Sequence, residues 1–133
     1  MQFLLMLHSI VRWIIVLAAL VAIVKFALGW LRGGAFKGMD RGLMAGFSGL
    51  MDLQAALGTV YLIWDGLAGA GFPAYRIEHG IAMILAAVPA HFHVRWKKAD
   101  ERIRFRNNLF VVVGVIVLVF IGVAPLPGNR WAL

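Results

Sequence analysis

The chain contains no cysteine and few charged residues, and both shortages restrict what it can be. Without cysteine it has no thiolate nucleophile, no disulfide exchange and no iron–sulfur ligation. Charged residues make up 14% of the 133 positions, whereas a soluble domain carries about a quarter. The sequence also lacks a phosphate-binding glycine loop, a nucleophile–base arrangement and internal repeats. These absences exclude thiol chemistry and give no support to a hydrolase.

What the sequence has instead is apolar length. Hydrophobic residues make up 62% of the chain, and the mean hydropathy is +0.88. Four apolar runs, at about 3–30, 43–64, 77–96 and 107–125, are each long enough to cross a bilayer as a helix. None alternates as a barrel strand does, and backbone polar groups in lipid must be paired within the protein. The sequence therefore predicts an all-α fold, an integral membrane four-helix antiparallel bundle formed by one domain, residues 1–133.

The positive charge is concentrated in two of the three connections between these runs. Thirteen Lys and Arg residues against six Asp and Glu residues give a net charge of +7. The connections 31–42 and 95–106 hold most of these bases, whereas 65–78 holds only Arg76. By the positive-inside rule, we expect the two basic loops in the cytoplasm and both termini in the periplasm of a bacterial inner membrane. The first run has no basic region before it and exceeds signal-peptide length, so we expect it to be retained.

Two runs carry histidine on a stripe of mostly small residues at helical spacing. The stripe of the first run consists of His8, Arg12, Ile15, Ala19, Ala22 and Phe26. The stripe of the third run consists of His79, Met83, Ala86, Ala90 and His93.

The depths of His8 and His79 match. Helices 1 and 3 run in the same direction, and each of these histidines lies within about 8 Å of the outer boundary. Small residues beside them leave room for a flat, bulky group, and neutral imidazole is a standard axial ligand of haem iron. We therefore predict that His8 and His79 ligate the iron of one haem b, with Met83 as a reserve ligand. Arg12 and Arg76 are candidates for binding its propionates.

The other histidines have a simpler interpretation. His91 and His93 lie beside Arg95 and Trp96, which is typical of a helix leaving the bilayer at headgroup level. Helix 1 offers only Ala22 at the depth of His93, so the sequence favours one outer haem over two. Pro89 is expected to kink helix 3 before this end.

Arg12 needs a partner if it lies inside the bilayer, where an unpaired arginine costs about 2.5 kcal/mol or more. The candidates are Asp52, Glu78 and a haem propionate; the alternative is that Arg12 extends to the outer surface. Asp52 shares a helix face with small residues, and such faces allow close helix packing, so we expect it to point into the bundle. Asp52 and Glu78 are thus a possible proton or ion-pair site. The face consists of Ala45, Gly49, Asp52, Ala56 and Thr59.

Residues 5–13 (LMLHSIVRW) resemble the opening of small bacterial four-helix membrane proteins labelled cytochrome b. This cytochrome b-like family also shows an acid–histidine pair at the start of helix 3 and then a methionine, here Glu78, His79 and Met83. The resemblance extends over nearly the whole chain in helix count and loop lengths, and it implies a membrane haem protein. Helix 2 of the family commonly carries a histidine two residues before a glutamine. This chain has Asp52 before Gln54, which puts a ligand role for helix 2 in doubt.

Two functional hypotheses follow. In the first, the chain is a membrane haem b protein that carries electrons between quinol and a periplasmic or membrane partner. In the second, it is a haem-free accessory subunit of a larger respiratory or photosynthetic complex, with His8, Arg12 and Glu78 as a structural polar cluster. A proton-linked transporter using Asp52 is less favoured, because four helices leave little room for a pathway without oligomerisation. The expected partners are lipid, a possible quinone, and a larger membrane complex or homo-oligomer; nucleic acid is not expected. An electron carrier or complex subunit is expected more than a stand-alone enzyme.

Overall fold

The computed structural model describes residues 1–132 as a bundle of four helices. They are α1 (Gln2–Arg32), α2 (Gly38–Asp65), α3 (Ala74–Ala90) and α4 (Glu101–Val123). A wide π-helical turn, Gly66–Ala70, follows α2, and a short 3₁₀ helix, Phe92–Trp96, follows α3. Residues 1–132 contain no strand, so the predicted all-α four-helix fold is confirmed.

The helices are arranged as a square in which α1 and α3 occupy opposite corners. Both pack against α2 and α4, and short connections make successive helices antiparallel. Ala19 and Ala22 of α1 and Ala86 and Ala90 of α3 are at most 1% exposed. The small-residue stripes of α1 and α3 therefore face the centre of the bundle, as predicted.

The exterior of the bundle is apolar. On the outer face of α1, Leu17, Leu20 and Val24 are 63%, 56% and 59% exposed. Four segments, Gln2–Arg32, Gly38–Ala70, Ala74–Trp96 and Glu101–Val123, are long and apolar enough to cross a membrane. Apolar surface of this extent requires a partner other than water. The protein is therefore a multi-pass membrane protein whose surface contacts lipid.

The connection between α1 and α2 is organised by a buried acid. Oδ2 of Asp40 accepts a hydrogen bond from the backbone N–H of Lys37 at 2.8 Å, and Oδ1 lies 2.8 Å from Nζ of Lys25 on α1. Asp40 is only 1% exposed. Because this carboxylate satisfies a free N–H at the helix start, α2 begins at Gly38 and not near residue 43 as predicted.

The basic connection between α3 and α4 lies six residues earlier than predicted, at 91–100. Pro89 has no N–H to donate, and α3 ends one residue later before the chain tightens into the 3₁₀ helix. The α-helical part of this span therefore stops at Ala90 and not at 96. Helix α4 starts at Glu101 and not at 107, so the bases from 102 to 106 lie on its first turns.

Candidate functional site

One large cavity lies at the end of the bundle opposite the basic connections. Its volume is about 970 Å³, which is within the range of small-molecule and cofactor sites. The starts of α1 and α3, the ends of α2 and α4 and residues 126–132 form its wall. Its polar side chains include those of His8, Ser9, Arg12, Gln54, Tyr61, Asp65, Arg76 and His79.

The two predicted histidines meet in this cavity. The ring centres of His8 and His79 are 6.4 Å apart, and the rings are inclined at 78°. They reach this distance across the diagonal of the bundle, because α1 and α3 run in the same direction and turn their small-residue stripes inward. An ion held between two imidazoles separates their ring centres by about 6 Å, since each metal–nitrogen bond is about 2 Å long. The predicted proximity is therefore present.

His79 is held in one orientation by the end of α4. Its Nδ1 lies 2.8 Å from the carbonyl oxygen of Gly122, which can only accept, so Nδ1 carries the proton. This carbonyl is available because α4 ends at Val123, and the last carbonyls of a helix lack intrahelical partners. The lone pair on Nε2 of His79 is consequently left for a ligand. A metal-binding histidine is commonly fixed by this kind of outer hydrogen bond.

His8 is positioned by two residues of α2. The side-chain amide of Gln54 donates to Nε2 of His8 at 3.2 Å, which leaves the proton on Nδ1. A Cβ atom on Gly58 would lie 2.9 Å from Cε1 of His8, so the ring occupies space that only glycine leaves free. Nδ1 of His8 and Oε1 of Gln54 are buried without a hydrogen-bond partner among residues 1–132. Buried polar atoms are rarely left unsatisfied, and both of these residues line the cavity.

The sequence analysis identified both histidines but did not identify Gln54 or Gly58 as site residues. Gln54 entered it only through the family pattern. Its available signal was an amide side chain in a mostly apolar run, one turn before a glycine.

Methionine side chains form part of the apolar wall. Met83, one turn after His79, is 8% exposed, and Met51 of α2 is 2% exposed. Both line the cavity. A Cβ atom on Gly122 would overlap the side chain of Met83 and lie 2.8 Å from Cβ of Ala82. Gly122 thus permits the close approach of α3 and α4 that holds Met83 at the cavity.

Arg12 lies in the cavity but contacts none of the protein carboxylates considered for it. Its two terminal nitrogens donate to the carbonyl oxygens of Arg130 at 2.8 Å and Ala132 at 2.6 Å. Its guanidinium also lies 5.4 Å from the ring centre of Trp131, which packs against Trp13. Arg12 therefore ties the C-terminal segment across the mouth of the cavity.

A second arginine is placed at the rim. Arg76 donates to Oδ2 of Asp65 at 2.7 Å and to the carbonyl oxygen of Gly71 at 3.2 Å. Its guanidinium lies 5.7 Å from the ring centre of Tyr61. Arg76 was predicted near the cavity and does line it, but its charge is balanced by Asp65.

The predicted orientation of Asp52 is wrong. Its whole small-residue face is exposed on the outside of α2, and Asp52 lies 2.9 Å from Nε2 of His91. The two side chains are 55% and 49% exposed. The face that does pack inward carries larger side chains, including Met44 and Phe47. Asp52 is consequently not the partner of Arg12.

Glu78 and His93 also lie away from the cavity. Glu78 is exposed and makes no ion pair among residues 1–132, so it is not the partner of Arg12 either. Nδ1 of His93 donates to the carbonyl oxygen of Ala90, the last residue of α3, at 3.1 Å. The structure thus brings His8, Arg12, Met83 and His79 together and separates Asp52 and Glu78 from them.

These side chains fit a haem better than a bare metal ion. No group of three or more metal-ligating side chains occurs among residues 1–132. Two imidazoles suffice for haem, because the macrocycle supplies the other iron ligands. The spacing of the rings and the free lone pair of His79 are consistent with such a group. His8 would ligate the iron through Nε2 in exchange for its hydrogen bond from Gln54.

Comparisons with protein-family models, with curated proteins and with solved structures found no match to this chain. The resemblance to the cytochrome b-like proteins accordingly remains a prediction from the motifs alone.

Proposed function

We propose that this chain is a membrane haem b protein that carries electrons between quinol and a periplasmic or membrane partner. The observation that supports it most is the 6.4 Å separation of the His8 and His79 rings within one cavity. The resemblance of residues 5–13 and 78–83, which include both histidines, to the cytochrome b-like family also supports it.

Each residue of the cavity has a role in this proposal. His79 offers Nε2 with its proton fixed on Nδ1. His8 would offer the opposing imidazole once its Nε2 exchanges the hydrogen bond from Gln54 for the iron. Arg12 pairs with no carboxylate among residues 1–132, and we assign it to a propionate. Haem would supply a one-electron iron couple, and two axial imidazoles leave no open position for oxygen. Met83 is the reserve ligand from the same wall.

The membrane and the orientation are part of the proposal. We place the chain in a bacterial inner membrane with both termini in the periplasm, because the two basic connections lie at the other end of the bundle. The cavity would then open near the periplasmic surface, where residues 126–132 cover it. A periplasmic or membrane partner could approach from that side.

The proposal is tested by comparing three histidine variants, each purified from cells supplied with haem. His8→Ala and His79→Ala should lose or shift the dithionite-reduced absorption spectrum, because each removes one imidazole from the cavity. His93→Ala is the matched control, since His93 bonds only to the carbonyl of Ala90 at the end of α3, away from the cavity, and it should retain the wild-type spectrum. If all three variants have the same spectrum, the assignment of His8 and His79 as ligands is wrong.

A second function, the haem-free accessory subunit, is favoured by the Asp52–His91 pair. Both side chains are about half exposed on the outside of the bundle, and Asp52 is near the middle of α2. A polar pair facing hydrocarbon is costly unless another helix covers it. Gly46 and Gly49 on the same side have nothing within 4 Å of an added Cβ, which leaves room for close approach.

Wild-type absorbance separates the two functions. A pure protein that is colourless despite ample haem, and that co-purifies with a larger complex lost in Asp52→Ala, would support the accessory subunit. A coloured protein would support the electron carrier. If it also co-purifies with a complex that Asp52→Ala loses, that complex would be its partner.

A further inference from the structure

A second cavity, separate from the histidine site, lies between α3 and α4 on the exterior of the bundle that faces lipid. It is an open groove with a volume of about 530 Å³. Its wall is almost entirely apolar and consists of Pro89, Trp96, Asn107, Phe110, Val111, Gly114, Val115, Val117 and Leu118. Being on the outside of a membrane-spanning bundle, it opens toward lipid.

The surroundings of two glycines of α4 differ along the line between α3 and α4. At Gly122 the helices are in contact, since an added Cβ would lie 2.8 Å from Cβ of Ala82. At Gly114, two turns earlier on α4, an added Cβ meets nothing within 4 Å. On the other side Pro89 ends the regular part of α3. The missing side chain of Gly114 therefore deepens a gap that Pro89 helps to open.

The length of the groove matches one leaflet of a bilayer. From Asn107 to Leu118, α4 rises by about 16 Å. Half of a hydrocarbon core about 30 Å thick is about 15 Å. An acyl chain lying along α4 would run from the headgroup level to the bilayer midplane.

The mouth of the groove is basic. Nε of Arg106 donates to Oδ1 of Asn107 at 3.1 Å, and Asn107 lines the groove. Arg106 precedes Phe110 by one helical turn and Arg102 precedes Arg106 by another, so these residues share one stripe. The connection 95–106 holds six bases, and its two acids are Asp100 and Glu101. An anionic group at the mouth would meet net positive charge.

We infer that this groove binds one acyl chain of an anionic phospholipid, with the headgroup at Arg106. The apolar wall accommodates the chain, the length fits one leaflet, and the charge at the mouth selects the headgroup. The inference depends on the multi-pass membrane fold and not on haem, so it stands apart from the proposed electron carrier.

The groove is tested by filling it. Gly114→Leu places a side chain in open space, so it should fold normally, and leucine favours the helix over glycine. Gly49→Leu is the matched control, because Gly49 is equally open but lies on α2. Delipidated protein in mild detergent is titrated with phosphatidylglycerol and observed by native mass spectrometry. Gly114→Leu should weaken the tightest binding by roughly tenfold or more, because the leucine side chain takes the place of acyl-chain methylenes that the groove would otherwise bury.

The headgroup is tested by charge removal. Arg106→Gln should abolish the preference for phosphatidylglycerol over phosphatidylcholine, whereas Arg32→Gln, at the exposed end of α1, should keep it. If Gly114→Leu binds phosphatidylglycerol as tightly as the wild type does, the proposed site is wrong. Equal affinity of the wild type for both lipids would overturn the anionic specificity.

Discussion

At the residue scale, the candidate site depends on two glycines as much as on its histidines. Gly58 leaves the space that the His8 ring occupies, and Gly122 lets α3 come close enough for His79 to reach its carbonyl. The histidines were predictable from sequence because a polar residue at a given depth of an apolar helix is visible in the pattern. Their neighbours on other helices were not, since those depend on how each helix is rotated in the bundle.

Gly58→Ala tests this arrangement with the smallest possible change. The new methyl group would lie 2.9 Å from Cε1 of His8, at the end of a movable side chain, so the ring should rotate away. Alanine also favours the helix by about 1 kcal/mol, and the melting temperature should change little. We expect an altered or lost haem spectrum at nearly unchanged stability.

Gly46→Ala is the control for this variant, because its methyl group meets nothing within 4 Å. It should keep the wild-type spectrum. If Gly58→Ala has the same spectrum as Gly46→Ala, then the position of the His8 ring does not govern the site.

Asp52 shows where the reasoning from single residues fails. A stripe of small residues was expected to face the bundle, yet small stripes serve equally well wherever one helix meets another. In α2 the larger side chains of Phe47 and Met51 fill the interior, and the small stripe faces outward with Asp52 bonded to His91. Hydropathy favours the wrong rotation here, because it does not reveal that Asp52 bonds to His91 on the outside of the bundle.

At the element scale, the helix count and order were predictable but several helix ends were not. The N-terminal ends of α2 and α4 extend into segments that the sequence predicted as polar loops, because charged residues there are bonded within the structure. Asp40 is the clearest case: it caps α2 and binds Lys25 of α1. Loop composition does not reveal such a pair, since the partner lies on another helix.

Asp40→Ala should destabilise the bundle. It removes the carboxylate that caps the start of α2, which costs about 1 kcal/mol, and it leaves Lys25, whose side chain is 33% exposed, without its partner. The measurement is thermal unfolding in detergent, with Asp100→Ala, an exposed acid in the other basic connection, as the control.

Replacing Lys25 as well separates the two causes. Lys25→Met in the Asp40→Ala background should recover part of the lost stability, because no unpaired charge is then left. A melting temperature for Asp40→Ala equal to that of Asp100→Ala would show that the pair contributes nothing.

At the scale of the whole molecule, the bundle has two different ends. One carries the two basic connections, and the other carries the histidine cavity under residues 126–132, which Arg12 holds in place. The charge pattern predicted this division, and hydrophobic length predicted the spans. The position of residues 126–132 over the cavity was not predictable. Arg12 bonds to main-chain carbonyls there, and every residue has such a carbonyl, so the sequence does not indicate which ones are used.

The orientation in the membrane can be measured by labelling, since the chain has no native cysteine. Ala35 and Lys98 are exposed at the basic end, and Phe72 is exposed at the other end. By the positive-inside rule, Phe72→Cys should react with an impermeant maleimide in cells with a permeabilised outer membrane. Ala35→Cys and Lys98→Cys should react only after the inner membrane is opened. The reverse pattern would place the histidine cavity in the cytoplasm.

The central claim is that one haem lies between His8 and His79, and the reduced-minus-oxidised absorption spectrum of the wild-type protein tests it most directly. The protein is expressed with ample haem, purified in mild detergent and reduced with dithionite. We predict a low-spin haem b spectrum at one haem per chain, unchanged by carbon monoxide because two imidazoles leave no open position. A colourless protein, or haem that binds carbon monoxide fully, would contradict the account.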